Sequence, residues 1–277
     1  MLRSLDSGIS ALQQFQQSMD VIGNNIANVD TIGFKGASVQ FADSFSQTLS
    51  GAGASGAMQV GTGVITSAIS NNYAQGAVSN TGVATDLAIN GNGFFTVKDS
   101  VGGAEFVTRD GQFKVDSNGF LVTTTGLRVQ GYTSFDTSTP PVGTLGDIKI
   151  DNNVTGSTAT ISSYGFDKQG NVNVRLSDGT QFTRGQILLT SYLSPEQLVK
   201  EGNNLFSGQS GAGVIIQSGT PGTSGLGNLV ASSLEMSNVE LASQMSTLIT
   251  TQRAFQASAR IITTSDEMLQ ELVNLKR

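Results

Sequence analysis

Asp110, Asp116, Asp167 and Asp178 are the side chains whose type best suits acid–base chemistry, and each stands beside a glycine or inside a turn-forming cluster. A carboxylate in that setting bonds its own backbone a residue or two on, so a turn role accounts for all four. Asp116-Ser117-Asn118-Gly119 resembles the start of a calcium loop, but no bidentate Glu follows at the required spacing. The sequence has no His, no Cys and no Trp. The commonest nucleophile–base pairs and most zinc sites therefore cannot be built, although carboxylate pairs, Lys or Ser–Lys remain chemically available. Gly51-Ala52-Gly53-Ala54-Ser55-Gly56 spells the dinucleotide-binding pattern. That chemistry needs a buried strand before it, a helix after it and an acidic residue about 20 positions on. Here Gln47-Thr48-Leu49-Ser50 precedes it, Gly61 and Gly63 oppose a helix, and Asn71-Asn72-Tyr73 stand where the acid is needed. The expectation is a protein with no catalytic, cofactor or metal site, and not an enzyme.

Charge excludes further classes. With 21 acidic against 15 basic residues and no run of Lys or Arg, the chain cannot neutralise a row of phosphates or an anionic membrane surface. Nucleic acid and membrane insertion are therefore not expected, and no apolar run approaches the ~20 residues of a span. Met1-Leu2-Arg3-Ser4-Leu5-Asp6 lacks the apolar core of a secretory signal, so export, if it occurs, is expected without a cleaved leader. Without Cys there is no disulfide framework, which leaves packing and oligomerisation as the sources of stability.

The elements that must position anything in this chain differ between its ends and its middle. Leu5, Ile9, Leu12, Phe15, Met19, Ile22, Ile26 and Val29 fall at gaps of three and four, one stripe of a helix that should stop near Asn28. Ser237-Asn238-Val239-Glu240 has the form of a capping box. After it Leu241, Met245, Leu248, Phe255, Ala259, Ile262, Leu269 and Val273 make a narrow seam, interrupted by Gln252 and Asp266. Between these ends, Asn90-Gly91-Asn92-Gly93, Asp110-Gly111, Asn118-Gly119 and Asp178-Gly179 separate short alternating apolar runs and predict hairpins. The 34 glycines and only four prolines suit many tight turns in a sheet. Residues 50–63 and 207–228 are glycine-rich, the latter read as a long returning loop.

The expected fold class is α+β. Residues 1–32 and 234–277 pair as a coiled coil, 33–74 form a Gly-rich extended linker, and 75–233 form a mostly antiparallel β domain. Assembly contacts are expected along the seams at Leu5, Ile9, Leu12, Met19, Ile22, Ile26, Leu241, Met245, Leu248, Phe255, Ile262 and Leu269. The backbone entropy of ordering such ends exceeds the burial one isolated pair gains, and backbone hydrogen bonds offset only part of the difference. Order therefore depends on neighbouring copies, and the chain's first partner is itself.

Several motifs, in order along nearly the whole chain, resemble the flagellar axial proteins of hook and distal-rod type. Met19 to Lys35 is similar to their rod and hook signature, carried by Asn24, Asn25, Ala27, Asn28, Thr31, Gly33, Phe34 and Lys35. Asp86 to Phe95, Thr108 to Phe113, Gly202 to Phe206 and Leu234 to Val239 continue the likeness, as do Gln252 to Phe255 and Ile261 to Leu269. The resemblance implies a helical homopolymer in which the terminal helices line a channel and the β domain lies outside. It implies as partners the distal rod and hook–filament junction proteins, the hook cap during assembly and the flagellar type III export apparatus. It implies a location in the hook or basal body, outside the cytoplasmic membrane. About 20 residues separate Tyr132 from Ile150, so the chain looks like a short hook protein without the large inserted outer domain. Val21 to Asn25 and Phe41 to Phe45 look hook-like, and a distal rod subunit is the alternative. A surface adhesin or phage-tail fibre also combines β domains with terminal coiled coils, but would not carry these ordered motifs.

Overall fold

The computed structural model describes residues 2–53, 56–100, 103–133, 144–151, 159–207 and 214–275. They divide into two compact units. The first gathers Met1–Val29, Lys35–Asn72 and Val239–Arg277; the second gathers Asp30–Phe34 and Tyr73–Asn238.

The first unit holds both long helices, α1 (Leu2–Ala27) and α2 (Leu241–Leu275). At 1.5 Å per residue these are rods of about 39 and 52 Å. They run antiparallel: Ser4 lies against Ser265, Gly8 against Ser258 and Ile262, and Asn25 against Gln244. α2 begins at Leu241, and Gln244 N donates to Glu240 O at its start.

Residues 37–71, expected as an extended linker, form a long two-stranded arm. β1 (Ala37–Asp43) pairs with β4 (Val64–Asn71), and β2 (Ser46–Gly53) with β3 (Gly56–Gly61), both antiparallel. Ser44 N donates to Gly63 O and Thr62 N to Phe45 O, joining the two ladders. The β1–β4 part packs on α1. Phe41 meets Phe15 edge to face at 6.1 Å, and the Thr66 hydroxyl meets the side-chain oxygens of Gln14 and, at 2.8 Å, Gln17. Val39, Val64 and Thr66 are half-buried in this sheet, whereas Ile65 and Ile69 stay exposed. Ala54 and Ser55 of the glycine pattern, residues 134–143 before Ile150 and residues 208–213 of the returning segment lie outside the described residues.

The second unit is antiparallel β. Its first half comprises β5 (Val78–Asn80), β6 (Leu87–Asn90), β7 (Phe94–Lys98), β8 (Glu105–Thr108), β9 (Phe113–Val115), β10 (Leu121–Thr123), β11 (Arg128–Thr133) and β12 (Thr144–Asp147). The second half comprises β13 (Ile161–Phe166), β14 (Asn171–Leu176), β15 (Gln181–Ile187), β16 (Leu189–Tyr192), β17 (Val199–Gly202), β18 (Leu205–Ser207), β19 (Val214–Gly219), β20 (Asn228–Ala231) and β21 (Ser233–Glu235). The main sheet runs β13-β14-β15-β11-β7-β8-β18-β17, while β6 pairs with β20 and β5 with β21. Leu87, Ile89, Phe95, Val97, Phe113 and Leu121 lie in the continuous core that this arrangement buries.

Two of the four predicted turns make hairpins. Asn118-Gly119 joins β9 to β10 and Asp178-Gly179 joins β14 to β15. Asn90 to Gly93 instead carries the chain from the β6–β20 pair into the main sheet. Asp110-Gly111 likewise separates strands that do not pair with each other. A Cβ on Gly111 would fall 1.6 Å from Leu87 O, so this glycine serves close approach of two backbones rather than a reversal.

Candidate assembly site

The helix pair is built from rows seven residues apart. On α1 one row is Ser4, Ala11, Ser18 and Asn25; on α2 its counterpart is Ser265, Ser258, Thr251 and Gln244. Ser18, Asn25, Thr251, Ser258 and Ser265 are buried. The Thr251 and Ser258 hydroxyls donate back to the carbonyls of Thr247 and Ala254, which lets small side chains sit at the contact without orphaned polar groups. Gly8 adds to the closeness: a Cβ there would stand 3.2 Å from Ile262 Cγ1.

The apolar seam residues flank these rows. Leu5, Leu12, Met19 and Ile26 are half-buried, Ile22 is buried and Ile9 is exposed. On α2 Leu248, Phe255, Ile262 and Leu269 are half-buried, whereas Leu241 and Met245 remain 46% and 43% exposed. α1 thus takes the small row and one apolar row of α2. Ile261, Met268, Leu272 and Val273 stay exposed beside them. Sequence reasoning weighted apolar side chains alone and missed Gly8, Ser18, Thr251, Ser258 and Ser265. The repeat of small residues at intervals of seven was the signal that would have found them.

The signature residues fall in both units. Asn25 is 2% exposed. Its Nδ2 donates to Ala37 O at 2.8 Å and to Gln244 Oε1 at 3.1 Å, and its Oδ1 accepts from Ala37 N at 3.0 Å. Asn28 Nδ2 donates to the carbonyl and side-chain oxygens of Asn24, closing the end of α1. Asn24 and Ala27 are exposed, Thr31 is half-buried, and Gly33, Phe34 and Lys35 are buried. Within the second unit, Gly33 has φ +68° and donates its N–H to Glu235 O. Phe34 N donates to Thr31 O, and Lys200 Nζ lies 4.7 Å from the Phe34 ring centroid.

Glu235 is a second node that the sequence did not disclose. It is 0% exposed; its Oε1 accepts from Gly76 N at 2.9 Å and its Oε2 from Arg109 Nη1 at 3.1 Å. Arg109 also donates to Gly91 O and lies over the Phe94 ring. Burial pulls the Arg109 pKa down and Glu235 opposes that shift. The turn aspartates behave as their positions suggested. Asp110, Asp167 and Asp178 accept from the backbone N–H of Gln112, Lys168 and Thr180. Backbone donors hold Asp116 and Asp178 below the usual carboxylate range.

An α+β chain whose described residues converge on helix faces and backbone clamps has the construction of a structural subunit. Family comparisons carry this further. Residues 5–35 match the flagella basal body rod protein model, 88–174 the flagellar hook protein FlgE/F/G D1 domain, and 230–275 the flagellar basal body rod FlgEFG protein C-terminal model. Among relatives, the flagellar basal-body rod protein FlgG of Bacillus subtilis (strain 168) is 39% identical over 284 aligned positions, covering all of both chains. The protein of the same name from Borreliella burgdorferi is 35% identical, again over all of both chains. The flagellar hook protein FlgE of Borreliella burgdorferi is 29% identical over an alignment of 444 positions that also covers both completely. The chain belongs to the flagellar hook and rod axial protein family. It is a structural component of the flagellar hook–basal body, a family that is not an enzyme class.

Proposed function

We propose that this chain polymerises into the flagellar hook, a flexible tubular joint that transmits torque and passes exported subunits through its channel. The single observation that carries the assembly is the unfinished burial of α2. Leu241, Met245, Ile261 and Met268 remain exposed after α1 has packed, and Leu272 and Val273 lie beyond its first residue. Copies of the same helix pair supply the missing cover, as a coiled-coil layer of residues 1–32 and 234–277 around the channel. The β region 75–233 lies on the outer side, and residues 50–63, within the arm, help set curvature. The subunit crosses the membrane through the flagellar type III apparatus without a cleaved leader. It adds beneath a hook cap and meets the distal rod and the hook–filament junction proteins at its two ends.

The distal rod is the second reading. It is favoured by the two rod relatives that align end to end with little length difference. Electron microscopy of basal bodies from a deletion strain separates the two. Loss of the curved segment with an intact rod supports the hook, and loss of the distal rod supports the alternative. Normal flagella overturn both. Polymerisation itself is tested by Leu248→Asp and Ile262→Asp, each of which places an unpaired charge in the seam. Polymers of normal length from either variant would contradict the proposal.

A further inference from the structure

We propose that Asn25 and Gln244 act as the register lock of the α1–α2 pair, a positioning role distinct from the apolar contacts that hold the helices together. The inference concerns pairing within one chain and holds for hook and rod alike. From Ser4 to Asn25 and from Ser265 to Gln244 the two helices advance by the same three repeats of seven residues. The facing rows are therefore Ser4–Ser265, Ala11–Ser258, Ser18–Thr251 and Asn25–Gln244. Three of the four matches are small against small. The flanking rows are equally repetitive: Leu5, Leu12, Met19 and Ile26 on α1, and Leu248, Phe255, Ile262 and Leu269 on α2.

Sliding the helices by one repeat puts Ala11 beside Ser265 and Ser18 beside Ser258, still small against small, but Ser4 beside Leu272, with both helices still overlapping along the whole of α1. Shape therefore disfavours the slip at the Ser4 end of the pair, where Phe15 would take the place of Gly8 against Ile262. The amides disfavour it at the other end. In the slipped register Asn25 meets Thr251, a shorter side chain whose hydroxyl is already donated to Thr247 O. Gln244 then lies beyond the end of the α1 row. Exchanging the Gln244 amide for a short hydroxyl that offers only its oxygen disfavours that register, as single buried polar residues do in helical pairs generally. Asn25 also clamps both polar backbone atoms of Ala37, so the register of the helices is tied to the root of the arm.

The absence of native cysteine makes the register directly measurable. Ser4→Cys with Ser265→Cys reports the observed register, in which the two Oγ atoms are 3.4 Å apart. Ala11→Cys with Ser265→Cys reports the slipped one, since seven residues correspond to about 10 Å along a helix. Both pairs are made in the full chain at polymerising concentration, mildly oxidised, and scored for intrachain disulfide on a non-reducing denaturing gel. The first pair should close faster than the second by roughly tenfold or more, the scale of one unsatisfied buried amide. Adding Gln244→Ala should narrow the gap between the two rates by about threefold or more. That substitution leaves the Asn25–Ala37 clamp intact, so lost anchoring of the arm cannot explain the result. Asn25→Ala should do the same and also loosen the arm. A preference for the Ser4 pair undiminished by Gln244→Ala overturns the proposal, as does failure of the Ser4 pair to outpace the Ala11 pair in the parent chain.

Discussion

Glu235 joins three passes of the chain through one carboxylate and its own carbonyl, at Gly33, Gly76 and Arg109. A buried pair of this kind is expensive to break from one side, because the remaining charge stays in a place without water. Glu235→Gln should destabilise the second unit by about 3–5 kcal/mol in urea unfolding. The Arg109→Met/Glu235→Gln double variant should lose less than Glu235→Gln alone. Asp110 provides a second test with a defined sign. Burial raises its pKa, with Asp86 adding to the shift, although the bond from Gln112 N–H opposes both. The protonated acid is thus the better-tolerated form. Its contribution is present below the usual carboxylate range and is lost as pH rises through the raised folded value. Asp110→Asn should raise the melting temperature by about 2–4 °C near neutral pH, and the gain should vanish in acid below the unfolded carboxylate pKa. The family motifs around these residues were legible in the sequence, but their roles were not. Nothing in Thr108-Arg109-Asp110-Gly111 says that Arg109 will find its counter-ion 126 positions away.

At the scale of elements, the helices were readable because their period is local. Gaps of three and four placed Leu5 through Ile26 and Leu241 through Leu269 on helix faces before any fold was known. Which side of α2 would be covered was not readable, since small and apolar rows both repeat every seven residues. Gly8 marks the chosen side. Gly8→Val should push Ile262 away and weaken helix pairing, seen as lower helicity by circular dichroism with the β signal retained. The arm is hidden in the sequence for a compositional reason: glycine and serine suggest a loose tether when no partner surface is in view. Its strands pair and the β1–β4 part docks on α1, so shortening residues 50–63 should alter polymer curvature or stiffness. Helical reconstruction of the variant polymer checks this, and unchanged bending would count against a mechanical role.

For the whole molecule, the helix pair presents an apolar face that a single chain leaves in water. Dilution should therefore melt the ends first. Circular dichroism should report a gain in helix on polymerisation while amide exchange in the β core stays slow in both states. The α+β class, the positions of the helices and the family to which the chain belongs followed from the order of residues, because periodicity and ordered motifs are properties of neighbours in sequence. The tertiary structure decided which turns became hairpins, which row of α2 met α1, and where Glu235 and Asn25 found their partners. Those choices depend on residues tens to hundreds of positions apart meeting in space, and on steric and hydrogen-bonding demands that exist only once they have met.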